Sequence, residues 1–444
     1  MQKLKDLISK YAVAGPRYTS YPTALYFTED ADKTRLEELA LGDQPLSLYF
    51  HIPFCKTLCY FCGCSSSVCS DVSKIDAYID LVERELEIWR NRGLSRRKVR
   101  QIHFGGGTPN LMTPEQTLRM GEIIRKFFDV SADAEISCEF DPRTLSAEKA
   151  DAFVSIGLNR ASIGIQDTDP QVQKAVNRIQ PLQLDIETLA YLRQKGIKSV
   201  NCDLIYGLPL QTPQTFAKTL EDTMLLNPDR IALFGYAHVP WVKPSQKILE
   251  QNRLPNSDEK VELFVMAMKF FEQNGYEYIG LDHFAKPQDS LIAARKNGTL
   301  HRNFQGYSTM AGLDTFALGL TSISDTKTSY RQNHKDMRLY AESISKGALP
   351  IAKGLVLSAD DIVRRGIIMD IMCSLKVNYG NYGVDFKSVF ADAMAGLEDF
   401  RKDGLVELFD DHFEVSDLGR LFLRNIAMLF DNKLGGGKRY SKTL

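Results

Sequence analysis

Four cysteines fall within ten residues, Cys55, Cys59, Cys62 and Cys64, on the stretch Tyr49–Cys64 that begins as an apolar strand. The spacing C-x3-C-x2-C-x-C lets one short loop wrap several thiolates around a single metal centre. Thiolates are soft ligands, suited to zinc or iron–sulfur clusters. Structural zinc sites usually combine two separated ligand pairs, and no second pair follows here. A disulfide framework is the other reading, but only four further cysteines are scattered over the 444 residues, unlike a stapled secreted domain. The pattern therefore favours a cubane iron cluster over zinc or structural thiols. Four thiolates would saturate such a cube and make an electron carrier; three leave one iron open to bind and activate a ligand.

Two further features frame this loop. Gly105-Gly106-Gly107-Thr108-Pro109 follows the next strand candidate, and glycines there would bring backbone within hydrogen-bonding distance of a polar ligand. By itself the run is weak evidence, and a plain tight turn is its default reading. Cys64 is the ambiguous cysteine, because its one-residue gap from Cys62 is tight for a second iron vertex, and Cys69 is a looser alternative. Cys138, Cys202 and Cys373 lie in apolar runs and read as buried small hydrophobes.

The elements that must position these residues alternate regularly. Strand candidates are Leu46–Ile52, Val99–Phe104, Glu135–Phe140, Arg160–Ile165, Ser199–Tyr206 and Arg230–Ala237. Helical windows near 73–92, 113–128, 146–156, 170–195 and 213–226 lie between them, with extensions near 257–274 and Tyr276–Phe284. Such alternation predicts an α/β parallel sheet, a partial barrel of six strand–helix units. In such sheets chemistry gathers at the carboxyl ends of the strands, where the Cys loop, the glycine run, Glu139, Gln166 and Asp203 all fall.

Residues 1–44 read as a polar N-terminal arm holding Gly15–Thr23, and 45–285 as the barrel. Residues 286–354 read as a connecting region with a substrate loop, and 355–444 as a helical, winged-helix-like domain with a hairpin over 405–415. Winged helices often bind DNA, but residues 355–444 carry 12 Lys and Arg against 14 Asp and Glu, so no basic stripe supports nucleic-acid binding. The net charge of −1 supplies no global basic field. No signal-type run opens the chain, and no stretch approaches the roughly 20 apolar residues that span a bilayer. A cytoplasmic protein without membrane contact is expected. No role follows from sequence for Pro240-Trp241-Val242-Lys243-Pro244 or for the tail from Gly435.

The C-x3-C-x2-C arrangement with Phe61 before the third cysteine, placed after the first strand, resembles the radical S-adenosylmethionine (SAM) superfamily. That resemblance implies that Cys55, Cys59 and Cys62 hold a [4Fe-4S] cluster. It further implies that SAM chelates the open iron and is cleaved reductively to a 5′-deoxyadenosyl radical. Gly15–Thr23, Tyr49–Cys64, Asp203–Pro209, His301–Thr309 and the Asp417–Phe430 helix together resemble the oxygen-independent coproporphyrinogen III oxidase (dehydrogenase) family along the whole chain. The family implies oxidative decarboxylation of two propionates of coproporphyrinogen III to vinyl groups, giving protoporphyrinogen IX in haem biosynthesis. An electron donor and an electron acceptor are then required, and a monomer is expected. Sister readings are a radical SAM haem-modifying enzyme and a haem-binding carrier.

Carried over by position, Tyr49, Gly106, Glu139 and Ile323 would contact the SAM on the cluster. Phe61, Gly107, Thr108, Gln166, Arg178, Asp203 and Ala237 would contact a second SAM. The substrate bears four carboxylates, so cations are expected near it; Arg17 and Arg302 are candidates, with Phe304, Gln305 and Tyr307 lining the same pocket.

Overall fold

The computed structural model describes residues 2–435 and 440 of the chain; most of the glycine-rich tail lies outside the described residues. Two compact units emerge. The larger comprises Thr28–Asn274 and Gly312–Val356. Its sheet carries six parallel strands in chain order: Leu46–Ile52, Lys98–Gly106, Asp129–Phe140, Arg160–Gln166, Ser199–Tyr206 and Arg230–Gly235. The helices Ser73–Asn91, Pro114–Phe127, Ala147–Ser155, Leu182–Gln194, Pro213–Leu226 and Ser257–Gln273 follow them in alternation. Thr113, Ser146, Thr212 and Asn256 cap four of these helices with side-chain oxygens, and Pro114 and Pro213 occupy the first turn, where a missing N–H costs nothing. The expected window 170–195 divides into Pro170–Ala175 and Leu182–Gln194. Asn177 turns left-handed at φ 56°, and Pro181 disfavours a helical Gln180.

Fully covered parallel sheets are usually apolar on both faces; this one is not. Leu46, Leu48, Phe50 and Ile52 alternate with Ser47, Tyr49 and His51, and the same alternation runs through Ile102 and Phe104, Ile136 and Cys138, Ala161 and Ile163, and Val200 and Cys202. The apolar set is buried at a few per cent exposure or less. The other set is polar and is tied across strands: Ser47 donates to Gln101, Gln101 to Glu135, and Arg160 pairs with Glu135 at 3.1 Å. This polar face positions the chemistry described below.

Residues 286–354 do not form a separate connecting region. Asp314–Leu318 lies parallel to the first strand on its other side, and Ile323–Asp325, Ser329–Asn333 and Ile351–Val356 add antiparallel strands beyond it. Sequence reading misses these strands because they bury polar residues without alternation, all five of Ser329–Asn333 being buried. Their polar groups are matched inside: Asn333 donates to Glu85, and the Arg331 guanidinium lies over Trp89 and Phe316 at 4.7 and 4.6 Å. Asp314 docks on the buried Arg97 at 2.7 Å.

The smaller unit gathers the chain up to Phe27, Gly275–Ala311 and the segment from Leu357. It holds the helices Ala359–Cys373 and Ala391–Lys402, and a three-stranded antiparallel sheet of Lys376–Asn378, His412–Val415 and Val406–Leu408. The hairpin expected over 405–415 is present, and the expected Asp417–Phe430 helix narrows to a 3-10 turn, Gly419–Phe422, and a short helix, Leu423–Met428. The N-terminal residues begin with a helix, Gln2–Tyr11, that the polar reading of 1–44 overlooks. The arm packs within this unit: Tyr11 stacks on Phe400 at 4.7 Å, Tyr18 donates to Asp431, and Arg424 donates to the carbonyls of Gly15 and Pro16. No helix among the described residues is long and apolar enough to cross a membrane.

Candidate active site

The Cys loop leaves the first strand at Ile52 and makes a two-residue parallel pairing, Phe54–Cys55 with Ser67–Val68. It is tied down along its length. Tyr60 N–H donates to Val176 O (3.0 Å), Asn177 Nδ2 to Leu58 O (2.8 Å), Gln246 Nε2 to Phe61 O (3.0 Å) and Lys243 Nζ to Cys64 O (2.7 Å). Lys243 thus gives the Pro240–Pro244 stretch a use. Phe61 packs half-buried against the apolar cluster that contains Val172, Val176, Ile205, Leu208, Tyr236 and Leu249.

All eight cysteines are free. Cys138, Cys202 and Cys373 are buried as expected, and Cys69 is buried with its thiol directed to Asp71 O. Among the described residues no three His, Cys, Asp or Glu side chains converge on a single-ion site. Cys55, Cys59 and Cys62 instead share one loop, where the Thr108 and Ser66 side chains hydrogen-bond the Cys55 thiol and N–H donors reach Cys59 and Cys62. Arg143 Nη2 lies 3.5 Å and Arg178 Nη1 3.7 Å from Cys59 Sγ, and Cys64 N–H lies 3.4 Å from Cys62 Sγ. Hydrogen bonding from Cys64 holds the Cys62 thiol down to about 6, whereas burial raises that of Cys55. N–H donors on sulfur stabilise thiolates, so the donor set fits a thiolate-ligated cluster.

The glycine run meets this loop backbone to backbone. Gly107 N–H donates to Ile52 O (2.8 Å) and Thr108 N–H to Phe54 O (2.7 Å). A Cβ on Gly107 would lie 2.7 Å from Phe54 O, and one on Gly106, at φ 110°, 2.6 Å from the His51 ring. The glycines therefore serve close packing against the Cys loop, and these two N–H groups are already committed within the protein. The Gly106 N–H donates to Glu139 Oε2 (3.2 Å).

Register places Tyr49 beside His103 and His103 beside Ser137. Tyr49 and His103 stack at 5.9 Å; His103 Nε2 donates to Glu139 Oε1 (3.1 Å) and its Nδ1 faces Ser137 Oγ (2.7 Å). Burial pushes the Glu139 carboxyl up, but the His103 side chain and the Gly106 N–H outweigh it and hold it below the usual value. Its side chain is 43% exposed, leaving an ionised acceptor open to a ligand. His51 Nε2 faces Ser65 O (2.8 Å) and Nδ1 faces Tyr49 Oη (3.0 Å). A carbonyl only accepts, so the proton sits on Nε2 and Tyr49 donates to Nδ1. Sequence reading missed His51, His103, Asp141 and Arg143; alternation puts the two histidines on the polar face without singling them out, and Asp141 and Arg143 lie beyond the end of the third strand.

Further along the sheet, Gln166 takes φ 70° at an irregularity in the pairing of the fourth and fifth strands. Such strain in a non-glycine residue concentrates at functional positions. Arg178 is buried, donates to Gly164 O (2.6 Å) and pairs with Asp141 (3.3 Å), its Nε lacking a partner. Asp203 accepts from Asn201 (2.7 Å) and Ser162 (3.1 Å); burial and the Glu139 charge raise it to about 7. Ala237 lies half-buried just past the sixth strand, and Ile323 opens the strand Ile323–Asp325. Tyr49, Phe61, Gly106, Gly107, Thr108, Glu139, Gln166, Arg178, Asp203, Ala237 and Ile323 thus share the larger unit with the cysteines.

Arg17, Arg302, Phe304, Gln305 and Tyr307 belong to the smaller unit. Arg17 pairs with Asp282 at 3.5 Å. Arg302 is 4% exposed, its guanidinium 4.9 Å from the Tyr307 ring, with Nε and Nη1 lacking hydrogen-bond partners. Tyr307 Oη donates to Met372 O, and Gln305 N–H to Asn303 Oδ1. Phe304 is half-buried.

Residues 49–223 match the radical SAM superfamily and residues 357–422 the HemN C-terminal domain. The chain is 41% identical to an oxygen-independent coproporphyrinogen III oxidase of Helicobacter pylori, over 99% of both chains. It is also 41% identical to that of Escherichia coli, over 96% of this chain and 95% of the relative. A solved structure, coproporphyrinogen III oxidase (HemN) from Escherichia coli, described as a radical SAM enzyme, superposes with TM-score 0.91 at 40% identity, covering 94% of this chain and 98% of that one.

Proposed function

Because the chain belongs to the oxygen-independent coproporphyrinogen III oxidase family of radical SAM enzymes, we propose that it decarboxylates two propionates of coproporphyrinogen III to vinyl groups. The single observation that carries this reading at the level of residues is the thiol loop: three free cysteines, two of them with N–H donors on sulfur, together with the open, ionised Glu139. Cys55, Cys59 and Cys62 would hold the [4Fe-4S] cluster. When bound, cluster and SAM would supply the chemistry to take hydrogen from an unactivated C–H bond.

The chain's own residues bind and orient. Glu139, held by His103 and Gly106, would accept from the amino group of SAM, with Tyr49 and Ile323 as further contacts. Phe61, Gly107, Thr108, Gln166, Arg178, Asp203 and Ala237 would hold a second SAM, with Asp203 accepting from its ribose hydroxyls. The N–H groups of Gly107 and Thr108 are committed within the protein, which leaves shape, carbonyl oxygens and the Thr108 hydroxyl, itself bonded to the Cys55 thiol, as what those residues offer. Each side chain reaction consumes one electron from a donor and returns one to an acceptor as CO2 leaves. Donor and acceptor are separate partners, and the chain acts as a cytoplasmic monomer without nucleic acid or membrane.

Substrate carboxylates fit Arg302. A buried guanidinium with two unmatched N–H groups carries a desolvation cost that a carboxylate removes. Arg302→Lys keeps the charge and loses the fork, so its KM for the porphyrinogen rises about tenfold, in line with losing one charge-assisted hydrogen bond of roughly 1.5 kcal/mol; an unchanged KM removes Arg302 from the reading. The activity itself is tested by anaerobic reconstitution with iron and sulfide, then SAM, dithionite and coproporphyrinogen III. Product mass lower by two CO2 and four hydrogens supports the proposal, and a gained methyl group overturns it.

A further inference from the structure

The reading above uses Cys59 as a ligand and Arg178 as a SAM contact, and leaves Arg143 without a role. Arg143 sits in the one-turn segment Pro142–Thr144 that follows the third strand. Asp141 caps that turn: its Oδ1 accepts from Arg143 N–H (3.0 Å) and Nε (2.9 Å), and its Oδ2 from Nη2 (2.6 Å). Asp141 is itself fixed by Asn110, which is fully buried directly after the glycine run. Asn110 Nδ2 donates to Asp141 O (2.9 Å), and Asp141 N–H donates to Asn110 Oδ1 (3.0 Å). This reciprocal pair aims Nη2 of Arg143 at Cys59 Sγ, 3.5 Å away. Arg143 is 18% and Asp141 11% exposed, so the interaction is only weakly screened.

We infer that Arg143 is a positioning residue that sets the reduction potential of the cluster held through Cys59, with Asp141 as its counterweight. The inference rests on the assignment of Cys55, Cys59 and Cys62 as cluster ligands. Adding an electron makes the thiolates more negative, and a hydrogen-bond donor on sulfur stabilises the reduced state more than the oxidised one. Arg178 shares Cys59, but its Nη2 is already engaged by Gly164 O. The group around Cys59 holds two guanidinium charges and one carboxylate, a net of one positive charge. Removing Arg143 cancels that net charge; neutralising Asp141 doubles it. A merely structural ion pair has no reason to move the potential in opposite senses in the two variants.

The test is an EPR-monitored redox titration of the reconstituted protein, with iron counted per chain. Arg143→Gln lowers the reduced fraction at fixed potential about tenfold, a midpoint about 59 mV more negative for a one-electron couple. Asp141→Asn, which still caps the turn, shifts it by a similar amount in the positive direction, and Arg143→Lys falls between wild type and Arg143→Gln. Unchanged midpoints, or shifts of one sign in both variants, overturn the inference. Should Arg143→Gln fail to take up iron, Asp141→Asn decides alone: an upward shift supports the inference, and no shift or a downward one overturns it. A wild-type protein without a reducible cluster would instead refute the ligand assignment itself.

Discussion

Replacing Asp203 by Asn should stabilise the cofactor-free protein while weakening its hold on SAM. Asp203 stands on the polar face of the sheet, two strands from Glu139, whose charge adds to the effect of burial, and titrates at about 7 against 3.8 for a free aspartate. Between those values the unfolded chain has lost the proton that the folded chain keeps. Stability therefore falls as pH rises through that window and levels off above pH 7. Roughly three units at about 1.4 kcal/mol each set a ceiling near 4 kcal/mol. Asp203 is only half-buried, however, so solvent screening reduces the cost to about 1–2 kcal/mol. Asn has the same shape, still accepts from Asn201 through its oxygen, and can donate to Ser162 Oγ. Anaerobic urea denaturation of the cluster-free chain across a pH series reads the difference. The variant's advantage should be small near pH 5 and largest above pH 7, while SAM binding to the loaded protein weakens about tenfold. A pH-independent difference, or a variant less stable throughout, would mean that Asp203 is already ionised in the native state and that the raised titration is wrong.

Three further outcomes follow from the geometry. Ala at Cys55, Cys59 or Cys62 should each abolish the iron content of the reconstituted protein, whereas Cys64→Ala should retain it; loss of iron in Cys64→Ala would make that residue a ligand. Gly106→Ala places a Cβ 2.6 Å from the His51 ring at φ 110°, so SAM affinity should drop at least tenfold and thermal stability by about 1–3 kcal/mol; a wild-type melting curve with normal SAM binding would refute the packing argument. Asp314→Ala leaves the buried Arg97 without its anion and should cost about 3–5 kcal/mol, read as a lower urea midpoint; a loss under 1 kcal/mol would show that the Gln44 and Ala40 carbonyls suffice.

What was legible in the sequence, and what was not, divides by the range of the signal. The Cys loop is local: its ligands lie within a few residues of one another, and spacing alone narrows the chemistry. The parallel strands and their helices are nearly as local, since apolar runs and amphipathic windows fix them, and the expected strand Leu46–Ile52 and helix near 213–226 stand at those residues. His103, Asp141 and Arg143 carry no local signal, because a single polar residue in or after a strand has several ordinary uses. Their use appears only when strand register sets Tyr49 beside His103 and His103 beside Ser137, and when Asn110 reaches across to Asp141. The strands of 314–356 escaped for a related reason: their buried polar residues are matched by partners far away in the chain, such as Glu85 for Asn333.

That long-range matching also explains how so short a loop can hold a cluster. A loop of this length has no core of its own and loses backbone entropy on ordering. Here its order comes from outside: the segment after the fourth strand engages Leu58 and Tyr60, the segment after the sixth engages Phe61 and Cys64, and the glycine run engages Ile52 and Phe54. Three separate strand ends thus fix the positions of the thiols, and each of those ends also carries residues assigned to SAM. The arrangement couples ligand geometry to cofactor geometry through the sheet: loosening one strand end should disturb iron retention and SAM affinity together, because both sets of groups are held by the same backbone.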